Sequence, residues 1–207
     1  VRLRGVIFDF GGVLCRFPAP RKFDALARKA GVPPDQFRSV FWGHRIPYDR
    51  GEVDARQYWD RIARDTGRAF SSAEVEDFVR DDVGFWTDFD DVMLGWTETL
   101  RAAGYRLALL SNLPRELGEA LRRRPGFLER FDHVTYSYEV RAVKPEREIY
   151  ESCLAGAGLA PGEVLFLDDR PENIAGAERL GVVSHLYTGR DRLDPAAYGL
   201  PGWRAAS

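Results

Sequence analysis

The residue with the most to offer chemically is Asp9. It follows the short apolar run Gly5-Val6-Ile7-Phe8 and precedes Phe10-Gly11-Gly12. Such a run reads as a buried strand, and the glycines let the backbone turn sharply and approach a ligand. Asp9 then sits at a strand's carboxyl end, the edge where open α/β sheets bind ligands and where a carboxylate can act as nucleophile or metal ligand. Three further polar clusters fall in similar settings: Ser111-Asn112 after the run 105–110, Lys144 within Val143-Lys144-Pro145, and Asp168-Asp169 after the run 163–167. Each has a plain alternative, as a helix cap or a solvated loop. All four, each at a strand end or helix start, are hard to assign to coincidence.

These residues need a sheet to bring them together. From residue 90 onward the pattern alternates between helix and strand. Met93, Trp96 and Leu100 mark a helix ended by Gly104, and residues 105–110 form a strand. A helix opens at Pro114 and runs to about Arg124, residues 133–138 form a strand, and a helix starting at Val143-Lys144-Pro145 carries Ile149, Tyr150 and Leu154. Residues 163–167 and 182–187 give two more strands, and residues 188–207 read as an irregular tail. Alternation of this kind predicts a parallel sheet with helices on both faces, a Rossmann-like three-layer α/β core. Between Pro20 and Phe89 the period is helical throughout, with capping pairs at Asp54/Gln57 and Ser71/Glu74 and a polar loop at residues 44–51. The expected organisation is a discontinuous core, 1–15 and 90–207, with a helical-bundle cap, 16–89, inserted after the first strand. The cap's aromatics, among them Phe37, Phe41, Trp42, Tyr58, Trp59, Phe78 and Trp86, are assigned chiefly to its core.

Composition narrows the partners. The chain of 207 residues balances 30 basic against 32 acidic residues for a net charge of -2, which gives no electrostatic case for nucleic acid or membrane. Arg122-Arg123-Arg124 closes a helix, where cations complement the dipole. With two cysteines and no signal peptide or long apolar run, a reducing cytoplasm is the default compartment. The two thiols, Cys15 and Cys153, read as packing residues, and the three histidines have no zinc-ligand spacing. The expected partner is a small molecule, and a monomer or a homodimer suits the composition equally.

The order Phe8-Asp9-Phe10-Gly11-Gly12-Val13-Leu14, Leu109-Leu110-Ser111-Asn112, Val143-Lys144-Pro145-Glu146 and Phe166-Leu167-Asp168-Asp169-Arg170-Pro171-Glu172-Asn173 resembles the four motifs of the haloacid dehalogenase (HAD) superfamily. The insert resembles that superfamily's alpha-helical cap, and the likeness is strongest to its bacterial glucose-1-phosphate phosphatase-like branch. The resemblance implies a phosphatase acting on a small phosphorylated metabolite, sugar-phosphate-like, through an aspartyl-phosphate on Asp9, with Ser111 and Lys144 completing the catalytic set. It implies Mg²⁺ held by Asp9, the Gly11 carbonyl and Asp169, with Asp168 touching the metal or orienting Lys144 and Asn173 behind them. Phosphate neutralisation by a cation, hydroxyl and backbone donors and metal-bearing carboxylates is physically coherent. Asn112, Gly11, Gly12, Arg45 and Tyr48 are the expected substrate contacts, the last two from a cap loop that closes over the site.

One position departs from the superfamily pattern. Its phosphatases carry a second Asp two residues after the nucleophile as general acid, and this chain has Gly11 there. Loss of such a group typically costs 10²- to 10⁴-fold. The expected substrates are therefore anomeric, acyl or aryl phosphates, whose leaving groups need little protonation. Two rivals follow from the same glycine: a 2-haloacid dehalogenase, which needs no metal and is disfavoured by the Asp168-Asp169 pair, and a former phosphatase kept as a binding protein.

Overall fold

The computed structural model describes residues 2–203; Val1 and residues 204–207, the extremes of the expected core, lie outside the described residues. Five parallel strands form one sheet in the order β3-β2-β1-β4-β5: β1 (Gly5–Phe8), β2 (Arg106–Ser111), β3 (His133–Tyr136), β4 (Val164–Asp168) and β5 (Val183–Leu186). β1 is central, and the register aligns Phe8 with Leu109 on one side and Leu167 on the other. The residues following that level, Asp9, Ser111 and Asp168, therefore reach one edge together. β1, β4 and most of β2 are buried on both faces, which explains why they read as continuous apolar runs rather than alternating ones.

Helices α1 (Pro20–Lys29), α2 (Pro34–Gly43), α3 (Arg45–Asp49), α4 (Ala55–Thr66) and α5 (Ser72–Phe85) fill the stretch after β1. The capping boxes at Asp54/Gln57 and Ser71/Glu74 both form and start α4 and α5. Residues 45–49, expected as loop, are helical instead. Pro47 sits within the first turn of α3, where a backbone N–H has no intrahelical acceptor to lose, and Arg45 pairs with Asp49 at i,i+4.

α6 (Asp91–Ala102), α7 (Arg115–Arg122), α8 (Ser137–Val140), α9 (Arg147–Ala157) and α10 (Pro171–Glu178) complete the chain. The strand expected to run to residue 138 stops at Tyr136 and gives way to α8, and the helix expected from residue 143 starts only at Arg147, so Lys144 lies in the turn before it. The described tail contains two 3-10 turns and is not loose: Leu193 and Leu200 are buried, Trp203 packs on Trp96 with ring centroids 4.6 Å apart, and Trp96 Nε1 donates to the Pro201 carbonyl at 2.8 Å. Among the described residues no helix is long and apolar enough to cross a membrane.

Candidate active site

At the carboxyl edge of the sheet a cavity of about 420 Å³ opens between the sheet and α2–α3, lined by Asp9, Gly11, Ser111, Asn112, Lys144, Asp169, Arg45 and Trp86 among others. Lys144 is the hub of its buried end. Its ammonium donates to Asp9 Oδ1 at 2.8 Å, Asp168 Oδ2 at 2.6 Å and the Leu110 carbonyl at 3.0 Å, so three donors meet three acceptors. The two carboxylates hold the Lys144 pKa above its ordinary value against burial, and the side chain stays charged. Asn112 fixes the turn that presents it: the Lys144 N–H donates to Asn112 Oδ1 at 2.8 Å, and Asn112 Nδ2 donates to the Lys144 carbonyl at 3.0 Å. Asn112, expected to touch substrate, lines the cavity while its amide also makes these two bonds to the Lys144 backbone.

Asp9 Oδ1 also accepts the Phe10 N–H at 2.6 Å. Both of its bonds fall on Oδ1, which leaves Oδ2 toward a ligand. Burial, and then the nearby Asp168 and Asp169, push the Asp9 pKa up to about 7 despite Lys144. Asp168 is fully buried and held from every side: Oδ1 accepts the Arg170 N–H and Asn173 Nδ2, each at 2.9 Å, and Oδ2 accepts Asn173 Nδ2 at 3.1 Å besides Lys144. Asp169 is half-buried, its pKa raised to about 6 by burial and by Asp168. Oxygens of Asp9, Asp168 and Asp169 lie within 4.8 Å of one another. Three carboxylates share one cation, all donors are hard oxygens, and two of the carboxyls are pushed toward protonation. That is the donor set and the charge excess that a divalent cation such as Mg²⁺ would satisfy.

The glycines have separate reasons. Gly12 has φ +79°, and a Cβ there would lie 2.6 Å from Asp169 Cγ, so only glycine lets the first turn pass beside the fourth motif. A Cβ at Gly11 would lie 3.0 Å from Cζ3 of Trp86. The place a side chain at position 11 would take is occupied by an indole ring.

Arg45 lines the cavity, but its guanidinium is committed: Nε donates to Asp49 at 2.8 Å and Nη1 to Asp82 at 2.7 Å, all three side chains being buried. Burial and the neighbouring carboxylate raise the Asp49 pKa to about 6 even with Arg45 beside it. Tyr48 departs from expectation. It does not line the cavity; its ring stacks on Tyr58 at 4.3 Å and its hydroxyl donates to Glu116 at 2.8 Å, because the short helix α3 turns it toward α7. Besides the Arg45–Asp82 and Tyr48–Glu116 bonds, residues 44–51 are tied to the rest of the chain by Ser137 Oγ donating to the Asp49 carbonyl at 2.5 Å and by the Arg50–Glu146 ion pair, among others.

The sequence pattern did not single out the apolar members of the cavity, Phe17, Ile46, Leu113 and Leu117, and assigned Trp42 and Trp86 to packing. Both cysteines are buried, with pKa values pushed up to about 12 chiefly by burial, as suits inert packing thiols.

A model of the haloacid dehalogenase-like hydrolases matches residues 3–181. The chain belongs to that hydrolase family. Among this family's curated members, D-ribitol-5-phosphate phosphatase of Bacteroides thetaiotaomicron is 24% identical over 189 residues, covering 86% of this chain and 89% of that protein. An (S)-2-haloacid dehalogenase of Pseudomonas sp. strain YL is 25% identical, covering 86% of this chain and 77% of that one. The chain spans only 35% of the drimenol cyclase DrtB of Aspergillus calidoustus, with 24% identity. In solved structures, the magnesium complex of the HAD family enzyme bt-2542 from Bacteroides thetaiotaomicron superposes with a TM-score of 0.73 at 25% identity, covering 89% of this chain and 93% of that chain. The HAD-like fold, with a five-stranded parallel sheet and an N-terminal helical region, is thereby established. The glucose-1-phosphate phosphatase-like branch is not singled out by these relatives.

Proposed function

We propose that this hydrolase is a Mg²⁺-dependent phosphatase that cleaves a small phosphorylated metabolite through an aspartyl-phosphate on Asp9. The observation that carries the reading is the buried Asp9–Lys144–Asp168 chain with Asp169 beside it at the mouth of one cavity. Asp9, Asp169 and the Gly11 carbonyl would hold the metal, whose contribution is to screen the phosphoryl charge and keep the carboxylates ionised. Asp168, saturated by Lys144, Asn173 and the Arg170 N–H, orients the lysine. Asp9 Oδ2 attacks phosphorus and the bond to the leaving oxygen breaks; water then attacks phosphorus, freeing inorganic phosphate and Asp9. Lys144 and Ser111 neutralise and bind the phosphoryl oxygens. Magnesium in the structure of bt-2542 and phosphate-ester hydrolysis by the ribitol-phosphate enzyme support this choice.

No acid stands at position 11, so leaving groups that depart with little protonation, anomeric, acyl or aryl, are favoured. The sugar-phosphate expectation rests on the motifs alone. Dehalogenation is disfavoured because three carboxylates around one lysine would repel a substrate carboxylate with no cation to offset them. We also propose that 1–15 with 90–207 and the inserted 16–89 are core and cap domains, supported by the all-helical content of the insert. The test is phosphate release from a panel of phosphorylated metabolites with Mg²⁺ or a chelator, for the wild type and Asp9→Asn. Turnover dependent on both metal and Asp9 is expected. Halide release from a 2-haloacid that a chelator leaves unchanged, or turnover surviving Asp9→Asn, would overturn it.

A further inference from the structure

Besides its carboxylates, Lys144 and Ser111, the cavity is walled by Phe17, Trp42, Ile46, Trp86, Leu113 and Leu117, Trp86 and Phe17 standing next to Gly11 and Gly12. Among the described residues the exposed large apolar side chains are Phe17 at 54%, Trp42 at 40%, Ile46 at 58%, Val183 and Leu186; the first three all stand at this cavity. A single exposed apolar residue is ordinary, whereas several from separate segments converging on one concavity mark a surface kept for a ligand. Phe17 follows β1, Trp42 lies near the end of α2 and Ile46 within α3, so no single helix stripe explains their convergence.

The charged groups of these walls are already paired. Arg45 is bonded to Asp49 and Asp82, and Arg170 Nε lies 3.0 Å from Glu172. No free cation among the lining residues awaits a second anionic group. A polyol would bring hydroxyls against aromatic faces, and each hydroxyl stripped of water without a partner costs roughly tenfold in affinity.

We propose that the leaving group is apolar: the substrate is the phosphate monoester of a hydrophobic alcohol or phenol, seated against Phe17, Trp42, Ile46 and Trp86. This rests on the phosphatase reading. An aryl ester also accords with Gly11, since a phenol departs without a general acid; alcohol esters depart slowly here, so in the test they are ranked only against one another.

The experiment compares kcat/KM, with Mg²⁺, for benzyl phosphate, geranyl monophosphate, 1-naphthyl phosphate, ribitol 5-phosphate, glycerol 1-phosphate and acetyl phosphate. Benzyl, geranyl, ribitol and glycerol esters all release primary alcohols, so their intrinsic reactivities nearly cancel and the walls decide. The benzyl and geranyl esters are expected to exceed the two polyol esters by about tenfold or more, mainly through KM. With those two esters ahead of the polyols, a still higher rate with naphthyl phosphate assigns a phenol as the source, and a highest rate with geranyl phosphate an isoprenoid alcohol. Ile46→Asp and Phe17→Ser, at exposed positions, are expected to lower the benzyl-to-acetyl phosphate ratio about tenfold. If acetyl phosphate turns over and the polyol esters equal or beat the apolar ones, the apolar leaving group is wrong while the phosphatase reading stands. If acetyl phosphate does not turn over either, both fall together.

Discussion

Gly11 and Trp86 should behave as a coupled pair. A Cβ at position 11 would stand 3.0 Å from Trp86 Cζ3 and 3.5 Å from Cη2, where carbon atoms prefer about 3.5–4.0 Å. Gly11→Asp must therefore push the indole aside by roughly half an ångström before its carboxyl has any room. Trp86 is nearly buried, its centroid 6.4 Å from Phe10 and 5.9 Å from Phe17, so the displaced ring meets other rings. Overpacking of that kind costs about 1–3 kcal/mol, or a fall in Tm of roughly 2–12 °C for a chain of this size. Gly11→Asp alone should thus be less stable than the wild type and gain little activity. Trp86→Ala alone should lose about 3–5 kcal/mol. In the double variant the new carboxyl occupies space the ring has vacated, and the two costs should fall short of their sum by about 1–3 kcal/mol.

Activity gives the second readout. In the double variant a proton donor becomes available to the leaving oxygen, worth typically 10²- to 10⁴-fold where the leaving group is a poor one. The rise should be seen in kcat for benzyl phosphate and be nearly absent for 4-nitrophenyl phosphate, whose leaving group needs no proton. Phosphate release and thermal melts on the four proteins complete the cycle. If Gly11→Asp alone melts with the wild type and accelerates benzyl phosphate as strongly as the double variant, the ring does not exclude a side chain there. If the double variant's stability is additive and its alkyl-ester rate unchanged, neither the clash nor the missing acid has been read correctly.

Lys144→Met should abolish phosphate release by at least about 10²-fold and destabilise the protein by roughly 3–5 kcal/mol, because Asp9 and Asp168 are left buried without their cation; steady-state rates and urea melts check both. Mg²⁺ at about a hundred times its dissociation constant should stabilise the wild type by roughly 2.7 kcal/mol, and Asp169→Asn should remove most of that gain, as read by the shift in thermal midpoint with and without chelator. Burial holds the Asp49 pKa near 6 in the folded protein against 3.8 unpaired, so between those values the folded state binds more protons and stability falls as pH rises. Asp49→Asn should flatten that slope, by up to roughly 3 kcal/mol across pH 4–6 in urea melts, and an unchanged slope would assign the pH dependence to other groups.

The convergence of the polar residues at the sheet edge was legible because each part is local. Asp9, Ser111 and Asp168 each stand at the end of a short apolar run, and a parallel sheet carries such residues to one edge whatever the helices between them do. The positive φ of Gly12 is a property of the local turn, but Gly12, expected as a substrate contact, does not line the cavity and packs against Asp169, 157 positions away, which no local pattern shows. Arg45 and Asn112 line the cavity as the sequence suggests, but the partners that hold them, and that draw Tyr48 away from it, are not readable from the sequence. Arg45 is captured by Asp82, 37 positions away, and Tyr48 by Glu116, 68 positions away, separations at which helical period carries no information. Pro47 and Gly51 give residues 44–51 the pattern of a loop, yet a proline in the first turn removes no hydrogen bond and a five-residue helix is too short to leave a periodic signature.

The walls were illegible for a different reason. Phe41 and Trp42 are neighbours in sequence and equally apolar, but they point to different faces of α2, one fully buried and the other 40% exposed to the cavity. Hydrophobic period identifies the stripe that packs; it does not show where one edge of the stripe overruns the core into a concavity, because that depends on how far α3 and α7 stand apart. The same division separates the two charged clusters. Asp9, Asp168 and Asp169 outnumber Lys144, while Asp49 and Asp82 outnumber Arg45, so both clusters carry an excess of negative charge. Only the first gathers three carboxylates at the sheet edge, where a divalent cation would offset the excess; in the second the guanidinium is held by Asp49 and Asp82 and has the Phe41, Trp42 and Tyr48 rings within 6 Å. On the proposed function, short motifs at a sheet edge set the chemistry at phosphorus and packing between distant helices sets the choice of leaving group, so mutations that change specificity should fall in α2, α3 and the segment around Phe17 while leaving the motif geometry intact.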